Sequence, residues 1–462
     1  MSKPNVIIFL ADDLGYGDLE SYGNPVLRTP HLNRLAHEGV RLSQHYSGSP
    51  LCAPARASLL TGRYNHRTGA LSVESNRGLD RIALREATIA DVFKRAGYAT
   101  GMIGKWHNGL HDMRFHPNNR GFDAFCGFLN GGMAYWDWII EYNSQPQRSD
   151  GRYLTDVFSD EAARFIERHT DEPFFLYVAY NAPHSPLAAP EQDVQPYLAS
   201  SDGLNPAVAT LYGMIQRMDA GIGRILDTLQ DFGVAENTIV LFTSDNGPWL
   251  GNDRLDDEIM SMARYNGPFR GMKQDVLEGG IRVPAIVRWP DGLPAQRECD
   301  HMVHFTDWLP TLMAACEIDT WPELPVDGIN QLSVLRGEPG NVPTQRFWQF
   351  NRYDPVPGCN AAMRDGEWKL YWPRIPEAMA KLPADSDDYR LNFDRPHVIK
   401  QVENPPVARA LSPSEAPQLY NIDDDPYEEN DLASHHKNRV ASMQAALANW
   451  FEEVEQERAK LV

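Results

Sequence analysis

Long apolar runs alternate with amphipathic segments along most of the chain. The run NVIIFLA at 5–11 is apolar at almost every position, which is typical of a strand buried on both faces of a sheet. The segment TPHLNRLAHEG at 29–39 follows it, with Pro30 at a favourable helix start and Gly39 at a helix stop. The first predicted unit is therefore a strand followed by a helix.

The same alternation recurs downstream. Helical patterns at 88–96, 155–169 and 206–230 are followed by the strand patterns YATGMIGK, PFFLYVAY and NTIVLFTS. Strands separated by helices imply a mostly parallel sheet with helices on both faces. We predict the α/β fold class, with a large mixed, mostly parallel sheet flanked by helices.

The pattern changes after about residue 340. Pro-rich loops surround MRDGEWKLYW at 363–372, which is typical of a β-hairpin. The turn-rich LYNIDDDPYEENDLA at 419–433 precedes an amphipathic helix at about 434–459. We predict a large N-terminal domain over 1–340 and a smaller C-terminal α+β subdomain over 341–462, with antiparallel strands and a terminal helix.

The charge of the chain excludes one class of partner. The formal net charge is -20, and Lys and Arg form no cluster, whereas proteins that bind nucleic acid carry a basic patch. We expect no nucleic-acid partner. No apolar run approaches the length of a membrane span, so we expect no membrane partner either.

The number and spacing of the cysteines bear on the cellular compartment of the protein. The five cysteines are scattered and odd in number, which is untypical of a disulfide framework or a zinc site. The apolar run from Val6 to Leu10 is too short for a signal peptide. We expect a cytoplasmic protein, or a periplasmic or secreted one if a leader peptide has been removed.

Polar side chains stand at the predicted C-terminal ends of four strands. They are Asp12 and Asp13, Lys105 and His107, His184, and Asp245 and Asn246. Each alone has an ordinary explanation as a solvated turn, a helix cap or a surface residue. Parallel strands, however, bring their carboxyl ends to one edge of the sheet, where ligands bind. The shared placement therefore indicates a single site.

Four of these residues suit a metal ion. Asp12, Asp13, Asp245 and Asn246 offer oxygen donors and no sulfur or imidazole, which favours a hard divalent cation over zinc. Calcium is the first choice and magnesium the second. A cation also explains why three carboxylates lie together, because their mutual repulsion at a buried edge would otherwise be costly.

Cys52 occupies the start of the stretch CAPARASLLTG. Pro54 is favourable in a first helical turn, so Cys52 lies at a helix N-terminus, where free N–H groups favour an anion. Two interpretations stay open from the residues alone, a nucleophilic thiolate of lowered pKa and a buried structural cysteine. Neither accounts for the cation site, because a thiol nucleophile needs a base rather than a hard cation.

Together the motifs resemble those of the type I sulfatases of the alkaline phosphatase superfamily. CAPARASLLTG at 52–62 is similar to the family's C-x-P-x-R-x-x-x-x-T-G signature, and GYATGMIGKWH at 97–107 to its second signature. The paired aspartates, then APH, SDNG, GMKQDVLEGGIRVP and LYNIDDDPYEENDLA, follow in the family's order. Ala55 departs from the pattern, where serine is frequent, but Cys52, Pro54 and Arg56 are present.

The resemblance implies an alkaline-phosphatase-like fold and a nucleophile made from Cys52. In the family this cysteine is oxidised after translation to formylglycine, an aldehyde that is hydrated to a gem-diol. One hydroxyl of such a diol attacks and the other expels sulfate, whereas a sulfate ester of serine or cysteine would be hard to hydrolyse. A formylglycine-generating enzyme is therefore an implied partner during maturation.

The resemblance also implies how the site residues divide their work. The implied cation ligands are Asp12, Asp13, Asp245, Asn246 and the modified Cys52. Asp245 is further implied as the acceptor of the proton from the attacking hydroxyl. Arg56 would orient the diol, and Lys105 and Lys273 would hold the sulfate oxygens where negative charge develops.

Two histidines have separate implied steps. His184 would protonate the leaving alcohol. His107 would take the proton that starts the elimination of sulfate, a task that suits an imidazole near neutral pH.

The sequence indicates the leaving group of the substrate less clearly than it indicates the type of reaction. Trp249, just after SDNG and Pro248, is a better candidate for stacking on a sugar or aryl ring than the aromatic stretch YWDWII at 135–140. An acidic chain that hydrolyses an anionic substrate needs a local positive patch, so we favour a pocket for a terminal sulfated group over a groove for a long polyanion. The expected substrate is a small sulfated sugar or aryl sulfate.

Three hypotheses for the function stay distinct. The first is a sulfatase, and the second is a phosphonate monoester or phosphodiester hydrolase of the same superfamily. The third is an unmodified, metal-dependent sulfoglycan-binding protein. The presence of Lys105, His107, His184 and Lys273 argues against the third, because a binding protein needs neither an acid nor an elimination base.

Overall fold

The computed structural model describes residues 3–199, 204–250, 264–267, 269–340, 342, 344–394 and 400–461. The strands are β1 Asn5–Ala11, β2 Val40–Leu42, β3 His45–Tyr46, β4 Ala99–Lys105, β5 Ala124–Phe128, β6 Ile139–Tyr142, β7 Gln145–Arg148, β8 Phe174–Ala179, β9 Thr238–Ser244, β10 Ala285–Arg288, β11 Arg297–Cys299, β12 Val303–His304, β13 Gln345–Gln349, β14 Ala361–Asp365, β15 Trp368–Trp372 and β16 Gln418–Asn421.

Helices separate most of these strands. The α-helices are α1 Pro30–Glu38, α2 Cys52–Thr61, α3 Asn65–Thr68, α4 Ile89–Arg95, α5 Leu154–Arg168, α6 Glu191–Leu198, α7 Pro206–Asp231, α8 Glu278–Ile281, α9 Trp308–Ala315, α10 Leu332–Arg336, α11 Pro376–Met379, α12 Pro383–Asp394 and α13 Lys437–Arg458. Single 3₁₀ turns occupy Tyr16–Asp18, Glu20–Tyr22, Ser75–Arg77, Met113–Phe115, Pro117–Asn119, Phe305–Asp307 and Ala459–Leu461. The predicted helices at 30–38 and 206–230 are confirmed to within a residue.

Ten strands form one sheet in the order β11-β2-β10-β9-β1-β8-β4-β5-β6-β7. The central strands β9, β1, β8, β4 and β5 are parallel to one another, whereas β10, β6 and β7 are joined antiparallel to their neighbours. The α/β fold class with a mixed, mostly parallel sheet is therefore confirmed.

The register of the central strands brings their carboxyl ends level. Leu10 of β1 lies opposite Ala179 of β8 and Thr243 of β9. Gly104 of β4 also faces Ala179. Gly104 has φ 106°, and a Cβ there would lie 2.0 Å from the carbonyl oxygen of Ala179. Glycine is therefore required at this position, which sets the backbone that carries Lys105.

The two faces of the sheet bury separate apolar cores. Ile7 and Phe9 of β1 pack into a core that includes residues of α1, α5 and α7. Val6 and Ile8, which point to the opposite face, pack into a core with residues of α2, α4 and α9. This arrangement explains why β1 is apolar at almost every position, because both of its faces are covered.

A second, antiparallel sheet has the order β13-β14-β15-β16. The predicted hairpin consists of β14 and β15. Ala361 pairs with Trp372 at its open end, and Asp365 pairs with Trp368 beside its turn. The first residues of the turn-rich stretch at 419–433 pair with β15 as part of β16. Helix α13 packs its Leu447 and Trp450 onto this sheet. The division of the chain at residue 340 stays a prediction.

The cysteines bear on the expectation about disulfide bonds, and the helices bear on the expectation about membrane spans. All five cysteines are buried and unpaired, which confirms that they form no disulfide framework. None of the helices in the described ranges has both the length and the apolar character that a membrane crossing requires.

Candidate active site

The four neighbouring strands β9, β1, β8 and β4 deliver the predicted residues to one edge of the sheet. Backbone hydrogen bonds between the strands extend into the loops that follow them. The N–H of Asp12 donates to Ala182 O at 3.0 Å, and the N–H of Asp245 donates to Ala11 O at 3.0 Å. The N–H of Asp13 donates to Oδ1 of Asp245 at 3.1 Å. The predicted convergence of strand ends is therefore present in the structure.

Helix α2 brings Cys52 and Arg56 to the same edge. Cys52 is its first residue, and Arg56 is fully buried one turn later. The guanidinium of Arg56 donates to Oδ2 of Asp245 through Nε at 3.0 Å and Nη2 at 2.8 Å, and to Lys105 O through Nη1 at 3.0 Å. A buried guanidinium is stable only when its donors are paired, so Arg56 joins three separate elements at this point.

Two lysines pair with the aspartates after β1. Lys105 Nζ lies 2.6 Å from Oδ2 of Asp12, with both side chains fully buried. Lys273 Nζ lies 2.7 Å from Oδ2 of Asp13. Burial alone would raise the pKa of Asp13, but Lys273, with His184 and Lys105, holds it below the ordinary value. Burial and the charge of Asp12 raise the pKa of Asp245 to about 6, which reflects the crowding of carboxylates.

The oxygen atoms of this cluster fit a divalent cation. Oδ1 of Asp12 and Oδ1 of Asn246 are buried and accept no hydrogen bond from any described residue. One ligand atom from each of Asp12, Asp13, Cys52 and His184 lies within 4.8 Å of the others. Buried acceptors without a donor are costly, and a cation would satisfy them. The side chain of Asn246 also touches Asp13, since Nδ2 donates to its Oδ1 at 2.8 Å.

The environment of Cys52 argues against one of its two interpretations. Burial raises the pKa of the Cys52 thiol to about 12, although Lys105 and Lys273 act in the opposite direction. The position at a helix N-terminus does not offset the loss of water around the sulfur. The raised pKa argues against the interpretation of Cys52 as a thiolate of lowered pKa.

The two predicted histidines differ in their contacts. His184 Nδ1 lies 2.7 Å from Ser185 O, which leaves Nε2 3.7 Å from Oδ2 of Asp13. Both ring nitrogens of His107 are buried and have no partner among the described residues. His107 has φ 57° and Asp13 has φ 63°, so two residues of the site hold left-handed backbone that side chains rarely adopt.

Comparison with known proteins identifies the family. A family model described as Sulfatase matches residues 4–318. The chain belongs to the sulfatase family.

Individual relatives agree with this assignment. The chain is 35% identical to the N-acetylgalactosamine-6-sulfatase of Homo sapiens over 359 residues, which are 72% of this chain and 66% of that protein. It is 31% identical to the steryl-sulfatase of Mus musculus over 452 residues, covering 79% of this chain and 69% of that one. The crystal structure of Ps i-CgsB in complex with k-i-k-neocarrahexaose matches with a TM-score of 0.79 and 28% identity, over 99% of this chain and 94% of that chain.

The chain spans 66% of the length of the N-acetylgalactosamine-6-sulfatases that it matches. The family implies a divalent metal and a formylglycine derived from cysteine. The oxygens of Asp12 and Asn246 that accept no hydrogen bond from a described residue, beside Cys52, fit the metal.

The candidate site opens into a cavity of about 270 Å³. The cavity is lined by Asp13, Leu51, Cys52, Val73, His107, Gly131, His184, Ser185, Trp249, Lys273, Gln274, Arg352, Lys381 and Tyr389. Trp249 therefore lies in the wall, in agreement with its position after SDNG. The stretch at 135–140 is not part of the cavity lining. The hydroxyl of Tyr135 instead donates to His184 O at 2.9 Å and so supports the loop that carries His184.

Three residues of the wall carry little signal in the sequence and were missed by the predictions. Arg352, Lys381 and Tyr389 come from the C-terminal part of the chain. No motif or strand end marks Lys381 or Tyr389. Lys381 lies just before α12 and Tyr389 lies in it, within a Pro-rich stretch. Arg352 carried the one usable signal, since it follows shortly after the end of β13 at Gln349.

Proposed function

We propose that the protein hydrolyses the sulfate monoester of a small sugar or aryl compound. The observation that carries this proposal is the convergence of Cys52 with buried carboxylates, the ammonium groups of Lys105 and Lys273 and two imidazoles in the wall of one cavity and directly beneath it. The human relative is named for a sulfated sugar, and Ps i-CgsB binds k-i-k-neocarrahexaose. Both support a carbohydrate sulfate as the substrate class.

Asp12, Asp13, Asp245, Asn246 and the modified Cys52 would hold the cation, with Ca²⁺ preferred over Mg²⁺. When bound, a divalent cation polarises a sulfate oxygen and lowers the pKa of the attacking hydroxyl. A ligand set made of carboxylate and amide oxygens is the kind that calcium takes. Arg56 keeps Oδ2 of Asp245 fixed through two hydrogen bonds, so the other oxygen of Asp245 stays oriented towards Asp13.

Lys105 and Lys273 would bind the sulfate oxygens. Each ammonium has three donors, and each is shown to use one on an aspartate, Lys105 on Asp12 and Lys273 on Asp13. The remaining donors are available to an anion beside Cys52. Because these lysines are held by the same carboxylates that would bind the cation, the positive groups are fixed before substrate arrives, which favours charge developing in the transition state.

His184 would protonate the leaving alcohol through Nε2. The contact of Nδ1 with Ser185 O fixes the ring and directs Nε2 to the cavity. Burial lowers the pKa of His184 to about 4, with Lys273 acting in the same direction. A bound sulfate adds negative charge beside the ring and so favours its protonated form.

His107 would accept the proton that leads to release of sulfate. Burial and the charges of Lys105 and Arg56 lower the pKa of His107 well below the ordinary value. The ring is therefore neutral, and its nitrogens are not engaged by any described residue. A neutral imidazole with a free lone pair is ready to act as a base.

Maturation of Cys52 would precede folding of its segment. Oxidation to formylglycine supplies two hydroxyls on one carbon after hydration. Cys52, Pro54 and Arg56 are all buried in the folded chain, so a formylglycine-generating enzyme has no access to them there. We infer that the modifying enzyme acts on the unfolded segment around Cys52.

Two measurements test the proposed function. Mass spectrometry of the peptide that contains residue 52 should show the aldehyde or its hydrate in active protein, and thiol alone in fully active protein would contradict the mechanism. Rates on a panel of sulfated monosaccharides, sulfated oligosaccharides and an aryl sulfate should exceed those on phosphonate monoesters and phosphate diesters. Cys52→Ala is the control, and it should be inactive on every substrate while keeping its unfolding temperature.

A further inference from the structure

Lys381 is a cation in the wall of the active-site cavity that forms no ion pair with any described residue. Its side chain is half-buried and lines the cavity that contains Cys52. Its ammonium lies 4.8 Å from the ring centroid of Tyr389. Within the described ranges, no aspartate or glutamate pairs with Lys381. Burial lowers its pKa, as expected for an ammonium that has lost water without gaining a close counter-charge.

The other cations of the cavity all have partners. Lys273 pairs with Asp13, and the more deeply placed Lys105 pairs with Asp12. Arg352 donates to Oε1 of Glu74 through Nη1 at 3.0 Å. Lys381 differs from these three because none of the described carboxylates lies within ion-pair distance of its ammonium.

The position of Lys381 is set by the packing of α12, which begins two residues later. Asp385 of α12 accepts from Arg77 Nε at 2.9 Å and from the Tyr353 hydroxyl at 2.6 Å. Tyr389 lies over Gly131, where a Cβ would meet the tyrosine ring at 3.0 Å. The aromatic ring beside the ammonium is therefore held in place, and a cation over a ring face gains modest attraction that favours one position.

We propose that Lys381 binds a second anionic group of the substrate, either a carboxylate or a further sulfate, in addition to the sulfate that is hydrolysed. This inference rests on the proposed function, since it concerns the same cavity. A partly dehydrated ammonium gains a charge-assisted hydrogen bond when an anion arrives. The net charge of -20 opposes anionic ligands at long range, so recognition of a doubly charged substrate must come from local cations such as Lys381.

The test uses three substrates built on one sugar. They are the monosulfated sugar that the panel identifies, its derivative with a second sulfate, and its disaccharide with a uronic acid. Lys381→Met keeps most of the side-chain length and removes the charge. It should lower kcat/KM by about tenfold or more for a dianionic substrate, chiefly through KM, and change the monosulfated sugar by less than about twofold.

Lys437→Met is the matched control, because Lys437 is exposed at the start of α13 and does not line the cavity. It should leave all three substrates unchanged. Loss confined to the disulfated sugar assigns a sulfate to Lys381, and loss confined to the uronate assigns a carboxylate. Equal loss on all three substrates, or no loss on any, overturns the proposal.

A binding measurement separates this inference from the proposed function. Calorimetric titration of Cys52→Ala with D-glucosamine-2-N,6-O-disulfate and with the 6-O-monosulfate needs no turnover. The Lys381→Met change in this background should weaken only the disulfate. Inactivity of the wild type on every sulfate ester would contradict the proposed function, whereas an unchanged ratio of the two affinities would contradict the role of Lys381.

Discussion

The ammonium group of Lys273 lies 2.7 Å from Oδ2 of Asp13, although 260 residues separate them in the chain. Two backbone hydrogen bonds hold the segment of Lys273 here, from Lys273 N to Pro248 O at 2.9 Å and from Gln274 N to Pro50 O at 2.7 Å. The second bond ties this segment to the residues just before Cys52. One contact thus connects the proposed cation site with the proposed sulfate site.

This relationship predicts a large effect of Lys273→Met. The variant loses a positive group beside the sulfate and leaves Asp13 without its ammonium partner. We expect kcat/KM on an aryl sulfate to fall by about 10²- to 10³-fold. Lys94→Met is the control, since Lys94 pairs with Asp123 at an exposed position, and it should retain full activity. A similar loss in both variants would contradict the role of Lys273.

The carboxylate cluster predicts a metal-dependent phenotype. Asp245→Ala should lose both bound cation and activity, because it removes one oxygen ligand and releases Arg56 from its buried partner. Elemental analysis of the wild type should find about one calcium per chain. Asp423→Ala, at an exposed position, should keep the ion. Zinc in active protein, or activity without any divalent ion, would show that the ligand assignment is wrong.

Much of the site is predictable because it follows the sheet. An apolar strand buried on both faces is recognisable from its composition, and the residue after it is fixed in place by the strand register. The sequence alone therefore suffices to bring Asp12, Asp13, Asp245 and Asn246 to one edge of the sheet. The identity of the family follows from local motifs such as CAPARASLLTG, whose residues lie on one helix and its C-terminal end.

The rest depends on contacts between distant segments. Lys381 reaches the cavity because α12 is held by Asp385 to Arg77 and Tyr353, and no periodic pattern encodes that docking. The raised pKa of Cys52 likewise arises from complete burial, which a helix N-terminus in the sequence does not reveal. Tertiary packing, rather than local propensity, determines both.

The buried ion pairs that Lys369 of β15 forms with α8 and with the loop after β16 make a prediction about stability. Lys369 Nζ of β15 lies 2.9 Å from Oε1 of Glu278 and 2.8 Å from Oε1 of Glu428, with all three side chains fully buried. Lys369→Met leaves two buried carboxylates without their shared cation, so the free energy of unfolding should fall by about 3–5 kcal/mol. Urea denaturation measures the effect. Lys437→Met, at an exposed position, should leave the midpoint unchanged, and an unchanged midpoint in both would refute the prediction.

We expect different kinetic defects when His184 and His107 are replaced, because the two histidines are proposed to serve different steps. His184 is proposed to protonate the departing alcohol. His184→Ala should therefore impair sugar sulfates, whose alcohols are poor leaving groups, far more than aryl sulfates, whose phenolates leave with little help. A series of aryl sulfates with phenols of different pKa measures this dependence, and the loss should grow steadily as the phenol pKa rises.

His107 is proposed to act only after the alcohol has left. Its ring nitrogens have no partner among the described residues, so His107→Ala should remove a base without breaking a structural hydrogen bond. The variant should release a burst of phenol of at most about one equivalent per active site and then stop, whereas His184→Ala should show slow release without a burst. Rapid-quench measurement of phenol at high enzyme concentration distinguishes the two. Losses that are equal in both variants and independent of the leaving group, with no burst from His107→Ala, would show that these two roles are assigned wrongly.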